Sequence, residues 1–596
     1  MAFCENCGAR LTPGVAFCEN CGVKQSSRSE KGGSGHTEFI AEHHFCEECG
    51  MKLNPGDSFC ENCGTSIASL GMSFPQNTQK GIFDDNPNER FDLFNLFTWA
   101  IKWEDVAKKV SGEKELGIIL TNLSVLASQL GVTEARVREV ILKYITTAKR
   151  RGVEYYVLRL EKNSVCFGSD TPRDVEDIVA LLRKVVDVAR PKYLFILGNE
   201  SIVDVINWDN EGHGDPDVDS DFVYSVLDTT SPWEGQDFNL TEALRVGRLP
   251  SSDGDFDGFE NYFLVAAEGI GSVEDIHSFG LSAQVWEEES QFEFEHFRHN
   301  SRDVETSPDA GVEESREMLV YDGKDYNLLF FNLHGSDQAK YWYGQRGFDY
   351  PEAVSPDIFC DYAVPFFLGV EACYGARYIG YTTEESILKT ALRNKCLAFL
   401  GSSRIAMGAS EPEFRSCADI VIGDFLKHVA CGETAGDAHI LSLKALIRKS
   451  VSEQDCLDAD DVMTIVEFSL YGDPSACIGK NKNTGKIKGL FKKAVGGVPK
   501  GIRIPMPDVD RASKMYLAEV NAEIEAKIDA YAAKYLPISR GDEIYMKGLG
   551  FSHKTYQLQN GKLYNKTYSF NSKLGKSRVS VYFDKDGNIR KTTFSK

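Results

Sequence analysis

Between Tyr155 and Ser475 the chain alternates short apolar runs with longer amphipathic stretches. Tyr155-Tyr156-Val157-Leu158 reads as a strand. Thr171-Pro172-Arg173-Asp174 starts a helix with proline in its first turn, and Val175 to Val188 continues it. Pro191-Lys192 then leads into Tyr193-Leu194-Phe195-Ile196-Leu197, a buried strand stopped by Gly198. Strand, helix, strand implies a parallel sheet. Phe279 to Trp286 and Cys396 to Leu400 predict further strands, the second ending at Gly401-Ser402-Ser403-Arg404. Helices are expected over Glu384–Arg393, from Phe425 to Ala430 and up to about Arg448.

Two runs in this region carry reactive residues. Leu328-Leu329-Phe330-Phe331-Asn332-Leu333 stops at His334-Gly335, and Pro365 to Ala372 stops at Cys373-Tyr374-Gly375. Apolar runs of that length, bounded by turn signals, read as strands buried on both faces. Lying parallel, they would present His334 and Cys373 at their carboxyl ends, where open α/β sheets hold their chemistry. A thiolate is a strong nucleophile and an imidazole carries protons near neutral pH, so the pair suits covalent catalysis. A buried structural cysteine and a turn histidine are the plain alternative.

Outside this region the patterning changes. Residues 91–151 read as helical, with Leu120, Leu123, Leu126 and Leu130 at helical spacing and Val137, Val140, Ile141, Tyr144 and Ile145 on one side of a second helix. After Ile478, lysines at 480, 482, 486, 488, 492 and 493 with interspersed glycines mark a basic linker; a solvated linker is the favoured reading, a self-cleavage site the other. Ser513 to Tyr535 reads as a helix. Beyond Tyr545, turn signals at Asn560-Gly561, Leu574-Gly575 and Asp586-Gly587 separate alternating strands such as Ser577 to Phe583, a small α+β domain with an antiparallel sheet. The divisions are 1–24, 25–42 (linker), 43–68, 69–90 (linker), 91–151, 152–479, 480–508 (linker) and 509–596.

The first and third divisions are repeats. Cys4, Cys7, Cys18 and Cys21 are followed by Cys46, Cys49, Cys60 and Cys63 at the same spacing, with a glycine after each second cysteine. Four thiolates on two tight knuckles suit tetrahedral zinc, and the units resemble short double zinc ribbons. Each set leaves no open coordination position, so two structural Zn2+ sites are expected, with the metal supplying the folding free energy. Asp215, Asp217, Asp219 and Asp221 alternate in a short segment and suggest either calcium or a solvated acidic loop.

The net charge of −23 disfavours a general nucleic-acid or anionic-membrane binder. No apolar run reaches the length of a membrane-spanning helix and no leader-like pattern opens the sequence, so a cytoplasmic location is expected. Half of the 16 cysteines lie in Cys-x-x-Cys pairs; the rest are scattered in apolar surroundings and read as reduced thiols.

Glu371-Ala372-Cys373-Tyr374-Gly375, with its histidine upstream, is close to the caspase signature. Taken with Leu197-Gly198, Ser220-Asp221, Gly247-Arg248-Leu249-Pro250, His334-Gly335-Ser336, Phe399 to Ser403 and Gly472-Asp473-Pro474-Ser475, in that order, residues 155–477 resemble the gingipain-like cysteine peptidases. The resemblance implies an α/β, caspase-type fold with a mostly parallel sheet flanked by helices. It implies Cys373 as nucleophile, His334 as acid/base and an acyl-enzyme intermediate. The oxyanion would lie near the backbone N–H groups of Gly335 and Cys373. An acidic residue at the end of an earlier strand orients the histidine in some members; Glu289 fits best, with Glu288 as its neighbour. A preference for a basic residue before the scissile bond would use Glu293 or Glu295. Limited cleavage of an intracellular protein substrate follows, with the ribbons or the C-terminal domain available for a protein partner.

A non-catalytic zinc-ribbon scaffold that keeps the peptidase fold is the alternative; the presence of both His334 and Cys373 favours the enzyme. A DNA-binding regulator is a third reading, and the acidity counts against it.

Overall fold

The computed structural model describes residues 114–162, 174–209, 217–232, 242–321, 325–479 (apart from 339, 348 and 410), 519–536, 549–558 and 561–596. It also describes the isolated positions 103, 106, 107, 240 and 516 and four two-residue strands near the start of the chain. Those strands form two equivalent hairpins, Ala2–Phe3 with Arg10–Leu11 and His44–Phe45 with Lys52–Leu53. The eight ribbon cysteines, Asp215 and the basic linker lie outside the described residues.

Ten strands build one sheet. In chain order they are β1 (Glu115–Thr121), β2 (Val153–Arg159), β3 (Tyr193–Leu197), β4 (Arg245–Leu249) and β5 (Ser278–Ala283). The others are β6 (Glu305–Ser307), β7 (Leu328–Asn332), β8 (Phe366–Val370), β9 (Cys396–Ser402) and β10 (Phe468–Gly472). The spatial order is β6-β5-β7-β8-β9-β10-β4-β3-β1-β2. Neighbours are parallel throughout except β9 and β10, which run antiparallel with Leu400 opposite Leu470. The sheet is therefore two five-stranded parallel halves pointing opposite ways. The carboxyl ends of β5, β7, β8 and β9 share one edge with the start of β10.

Every residue of β7 and β8 is buried, as expected of strands covered on both faces. The covering helices include α1 (Leu123–Gln129), α2 (Glu134–Arg150), α3 (Val175–Ala189), α4 (Phe256–Glu268) and α5 (Glu287–Phe294). They continue with α6 (Ile387–Asn394), α7 (Ala418–Ala430), α8 (Ala435–Gln454) and α9 (Ala459–Glu467). Helix α7 packs on β8, where a side chain at Gly369 would strike Ile422 and Leu426.

The all-helical reading of residues 91–151 needs correction. Glu115–Thr121 is a strand between β2 and β3, so this segment completes the sheet and forms no separate layer. Leu120 and Leu123 belong to different elements, and their helical spacing arose by chance across a strand–helix junction. Arg151 closes the join by pairing with buried Asp473 at 3.1 Å. The Ser220-Asp221 and Gly247–Pro250 stretches meet in another anchor. Fully buried Arg248 donates to both Asp221 oxygens at 2.7 and 2.6 Å and to the carbonyls of Gly198 and Val203.

The C-terminal part carries helix α10 (Ala522–Ala532) and four antiparallel strands, β11 (Gly550–Leu558), β12 (Gly561–Ser572), β13 (Gly575–Phe583) and β14 (Ile589–Ser595). Gly561 and Gly575, both at positive φ, make the tight returns. Ile528 and Ala532 of α10 share a core with Tyr568, Val579, Val581 and Phe583 of the sheet. A fifth strand comes from elsewhere. Met407–Gly408, downstream of β9, pairs antiparallel with β14 through Met407 with Ser595 and Gly408 with Phe594. One sheet thus runs from the C-terminal domain into the edge that bears His334 and Cys373.

Candidate active site

His334 and Cys373 follow β7 and β8 closely, on adjacent parallel strands. Gly335 locks the two turns together: a Cβ there would lie 1.7 Å from the Cys373 carbonyl oxygen, so only glycine lets the backbones meet. Tyr374, just after the cysteine, has a φ of 53°, a conformation bulky residues rarely adopt. Its N–H is held by the Arg404 carbonyl at 2.6 Å. The Cys373 thiol is buried and points toward the Ala406 carbonyl at 3.7 Å, beside Ile405, Met407, Cys417 and Met463.

The His334 ring lies against Trp286 and Tyr350 at 4.3 and 5.2 Å between centroids, and its Nε2 meets Gln345 Oε1 at 2.6 Å. Burial pushes its pKa down to about 4, partly offset by the Gln345 hydrogen bond; the nearby Lys596 charge lowers it further. The imidazole is therefore neutral at physiological pH and able to accept a proton.

Both residues converge on Lys596. The Cys373 N–H donates to the Lys596 backbone oxygen at 3.2 Å, and His334 makes a hydrogen bond to the same residue's backbone. The Lys596 N–H donates to the Ala406 carbonyl at 3.0 Å, continuing the pairing of β14 with Met407–Gly408. Its side chain runs into a closed pocket and is fully buried. There Nζ lies 3.3 Å from Asp419, 3.7 Å from Glu371 and 3.8 Å from Glu289. It also donates to the Ala409 carbonyl at 2.8 Å and sits 4.5 Å from the Trp286 ring centre. Burial works against this ammonium, but Asp419, Glu289 and Glu371 outweigh it and hold its pKa above the usual lysine value. Desolvation, then mutual repulsion, raises Glu289 and Glu371 well above the ordinary carboxylate range. Gly408 forms the pocket wall, since a Cβ there would meet Lys596 Cε at 2.3 Å.

Local sequence explains the carboxylates. Ala283 ends β5, and the acidic run from Glu287 is the first turn of α5, so Glu289 and Glu293 fall four apart on its buried face. Glu371 follows β8 directly. Asp419 occupies the first turn of α7, where its second oxygen accepts from the N–H groups of Ala409 and Ser416 at 2.8 and 3.0 Å. Cys417, at the cap of α7, has a φ of 48°, a second strained position beside the pocket.

Several sequence expectations take different places here. Glu289 turns toward Lys596 and Asn332, its bond to Asn332 Nδ2 being 2.8 Å, while Gln345 holds the His334 ring. Glu288 lies on the exposed face of α5. Glu293 is buried but committed to Arg415, and burial pushes its pKa up to about 7. Glu295, at the C-terminal cap of α5, is exposed and paired with Arg298 at 2.7 Å, away from the pocket. The Cys373 N–H bonds the Lys596 oxygen as an oxyanion donor would. Asp219 pairs with Arg404 at 2.8 Å and Asp221 with Arg248, so cations already neutralise two of the four alternating aspartates. Glu371, Asp419, Gln345 and Lys596 were missed. A glutamate ending an otherwise apolar run was the one available signal, at Glu371.

Residues 4–66 match the family model described as Double zinc ribbon. Its donor chemistry, eight cysteines in four Cys-x-x-Cys pairs, fits zinc. Among curated proteins none matches the sequence. A solved structure described as "Structure of Protease" aligns with 82% of this chain and 92% of its own at 10% identity and a TM-score of 0.41.

Proposed function

We propose that this protein is a cysteine endopeptidase that cleaves after a basic residue. The observation that carries the reading is the posture of Lys596: its backbone oxygen on the Cys373 N–H, its ammonium among three carboxylates. A substrate lysine in the same place would bring its carbonyl to the thiol. Neutral His334 takes the thiol proton as Cys373 attacks that carbonyl. The oxyanion draws on the Cys373 N–H. Imidazolium then returns the proton to the departing amine, and water releases the acyl-enzyme with His334 as base. Gln345 keeps the ring oriented. Glu371, Asp419 and Glu289 select the basic side chain; Gly335 and Gly408 keep the backbone and the pocket open.

The zinc ribbons have no place in this chemistry, since four thiolates per metal leave no open position. They serve a docking or sensing role with a protein partner, and the enzyme acts in limited cleavage of a cytoplasmic protein.

A fluorogenic peptide panel with Lys, Arg, Asp, Asn or Met before the reporter tests the reading. Wild type is expected to cleave the Lys and Arg members at a slow basal rate, and Cys373→Ala none. Equal turnover by Cys373→Ala, or preference for Asp, would refute it.

A further inference from the structure

We propose that the C-terminal domain is a built-in pseudosubstrate: β14 and Lys596 occupy the peptide-binding groove, and the enzyme stays blocked until that strand is displaced. This rests on the peptidase reading and adds its regulation.

Three independent features converge. First, β14 joins the catalytic domain as a peptide would, adding an antiparallel strand to Met407–Gly408 and ending with the Lys596 N–H on Ala406. Second, the pocket is built for what it holds. One oxygen from each of Glu289, Glu371 and Asp419 lies within 4.8 Å of the others, and all three residues are fully buried. One oxygen of Glu289 and both of Glu371 lack any hydrogen-bond partner. Such a cluster is costly without a cation, and the cation present is the chain's own lysine. Third, the domain is clamped at a distance from the pocket. Lys591 of β14 reaches into the catalytic domain and pairs with Asp458 and Asp461 at the start of α9, at 2.8 and 2.7 Å. Asp460 accepts from Thr593 and from Tyr582 at 2.7 and 2.8 Å, and the Ala459 N–H donates to Tyr556. None of these clamp residues touches the reacting groups, so their chemistry is explained by holding the domain in place.

Filling of the site has a further consequence. A cleft beside His334 is walled by Trp286, Gln345 and Tyr350 on one side and by Tyr535, Phe570 and Phe594 on the other. A protein substrate entering along Met407–Gly408 meets β14 already paired there. A tethered ligand acts at a high effective concentration, of order millimolar, so even a modest intrinsic affinity keeps the groove filled. The activating event is therefore one that pulls on the C-terminal domain or breaks its clamp, such as a partner protein that binds the domain's outer surface.

The test uses the full-length chain. A lysyl peptide carrying a thiol-directed chloromethyl ketone is titrated against wild type, Lys596→Ala and Lys596→Met, and the Cys373 adduct is followed by intact mass. In parallel, hydrogen exchange of residues 589–595 is measured in the same proteins on a Cys373→Ala background, where no turnover is needed. Lys596→Met keeps the apolar stem and guards against a folding defect. The proposal expects both variants to label at least about tenfold faster than wild type, with faster exchange in β14. Equal labelling rates in all three would overturn the self-blocking and leave the peptidase standing. Absence of labelling in every variant, even with β14 released, would overturn the peptidase reading and the proposal with it.

Discussion

Glu371 lies two residues before Cys373, so the proposed nucleophile and one wall of the proposed specificity pocket come from one short stretch after β8. Glu371→Gln keeps the shape and replaces one of the three acidic groups facing a buried ammonium. Loss of one partner of such a pair costs about 2 kcal/mol or more, a factor of roughly 30 in kcat/KM. The expected result is that loss for a lysine substrate relative to a methionine substrate, a ratio insensitive to any change in self-occupancy. An unchanged ratio would remove Glu371 from the pocket. His334 supplies the pH prediction. Its folded pKa is depressed from 6.5 to about 4, so the unfolded chain binds more protons within that window. The contribution is full above pH 6.5 and is lost as pH falls toward 4. Wild type should therefore lose unfolding midpoint faster than His334→Gln between pH 6.5 and 4.5, and the two should run parallel above pH 7. Other buried histidines, such as His439, cancel in the comparison.

At the scale of elements, α9 is started by a capping box on Asp458 and holds Asp458, Asp460 and Asp461 in a buried first turn. That concentration of charge suits a helix N-terminus, and Lys591 from β14 neutralises it. Lys591→Met would leave two carboxylates without a counter-ion in the interior, at a cost of about 3–5 kcal/mol. Hydrogen exchange over β11 to β14 in the full chain should quicken accordingly, while β7 and β8 stay protected. Equal protection of β14 in the variant would show that Lys591 contributes little to clamping. The short strand Met407–Gly408 is the other decisive element. It lies between β9 and the strained Cys417 at the cap of α7, and as the edge strand of the five-stranded C-terminal sheet it is the seam that joins β14 to the rest of the chain.

For the molecule as a whole, zinc and peptidase chemistry are expected to separate. Residues 4–66 match the double zinc ribbon model, and four thiolates per metal leave no open position for catalysis. Chelation should release zinc, read with a colorimetric dye, and abolish binding of any partner captured by the ribbons. Thermal unfolding of the ten-stranded sheet should be unchanged. A lowered midpoint would mean that the ribbons brace the sheet. No helix among the described residues is long and apolar enough to cross a membrane.

Strands β2, β3, β5, β7, β8 and β9 were legible because each is a short apolar run ended by a turn signal, a local property that burial on both faces imposes. Cys373 and His334 were legible for the same reason: each stands just past such a run. β1 was misread because a seven-residue strand next to two helices leaves no period of its own. The register of Glu287-Glu288-Glu289 was open because the chain changes from strand to helix there, and only the observed start of α5 decides which glutamates face inward. Asp419, Gln345 and Lys596 had no local signal at all. They are brought to the site by contacts between residues far apart in sequence, and a lysine after a polar strand looks like any solvated end. The order of residues alone determined the zinc-type cysteine pairs, the parallel α/β core and the strand ends that carry His334 and Cys373, since each depends on neighbours along the chain. Only the tertiary structure decided which carboxylates face one pocket and that the chain fills it with its own lysine, since both follow from the packing of the C-terminal sheet against Met407–Gly408 and α9.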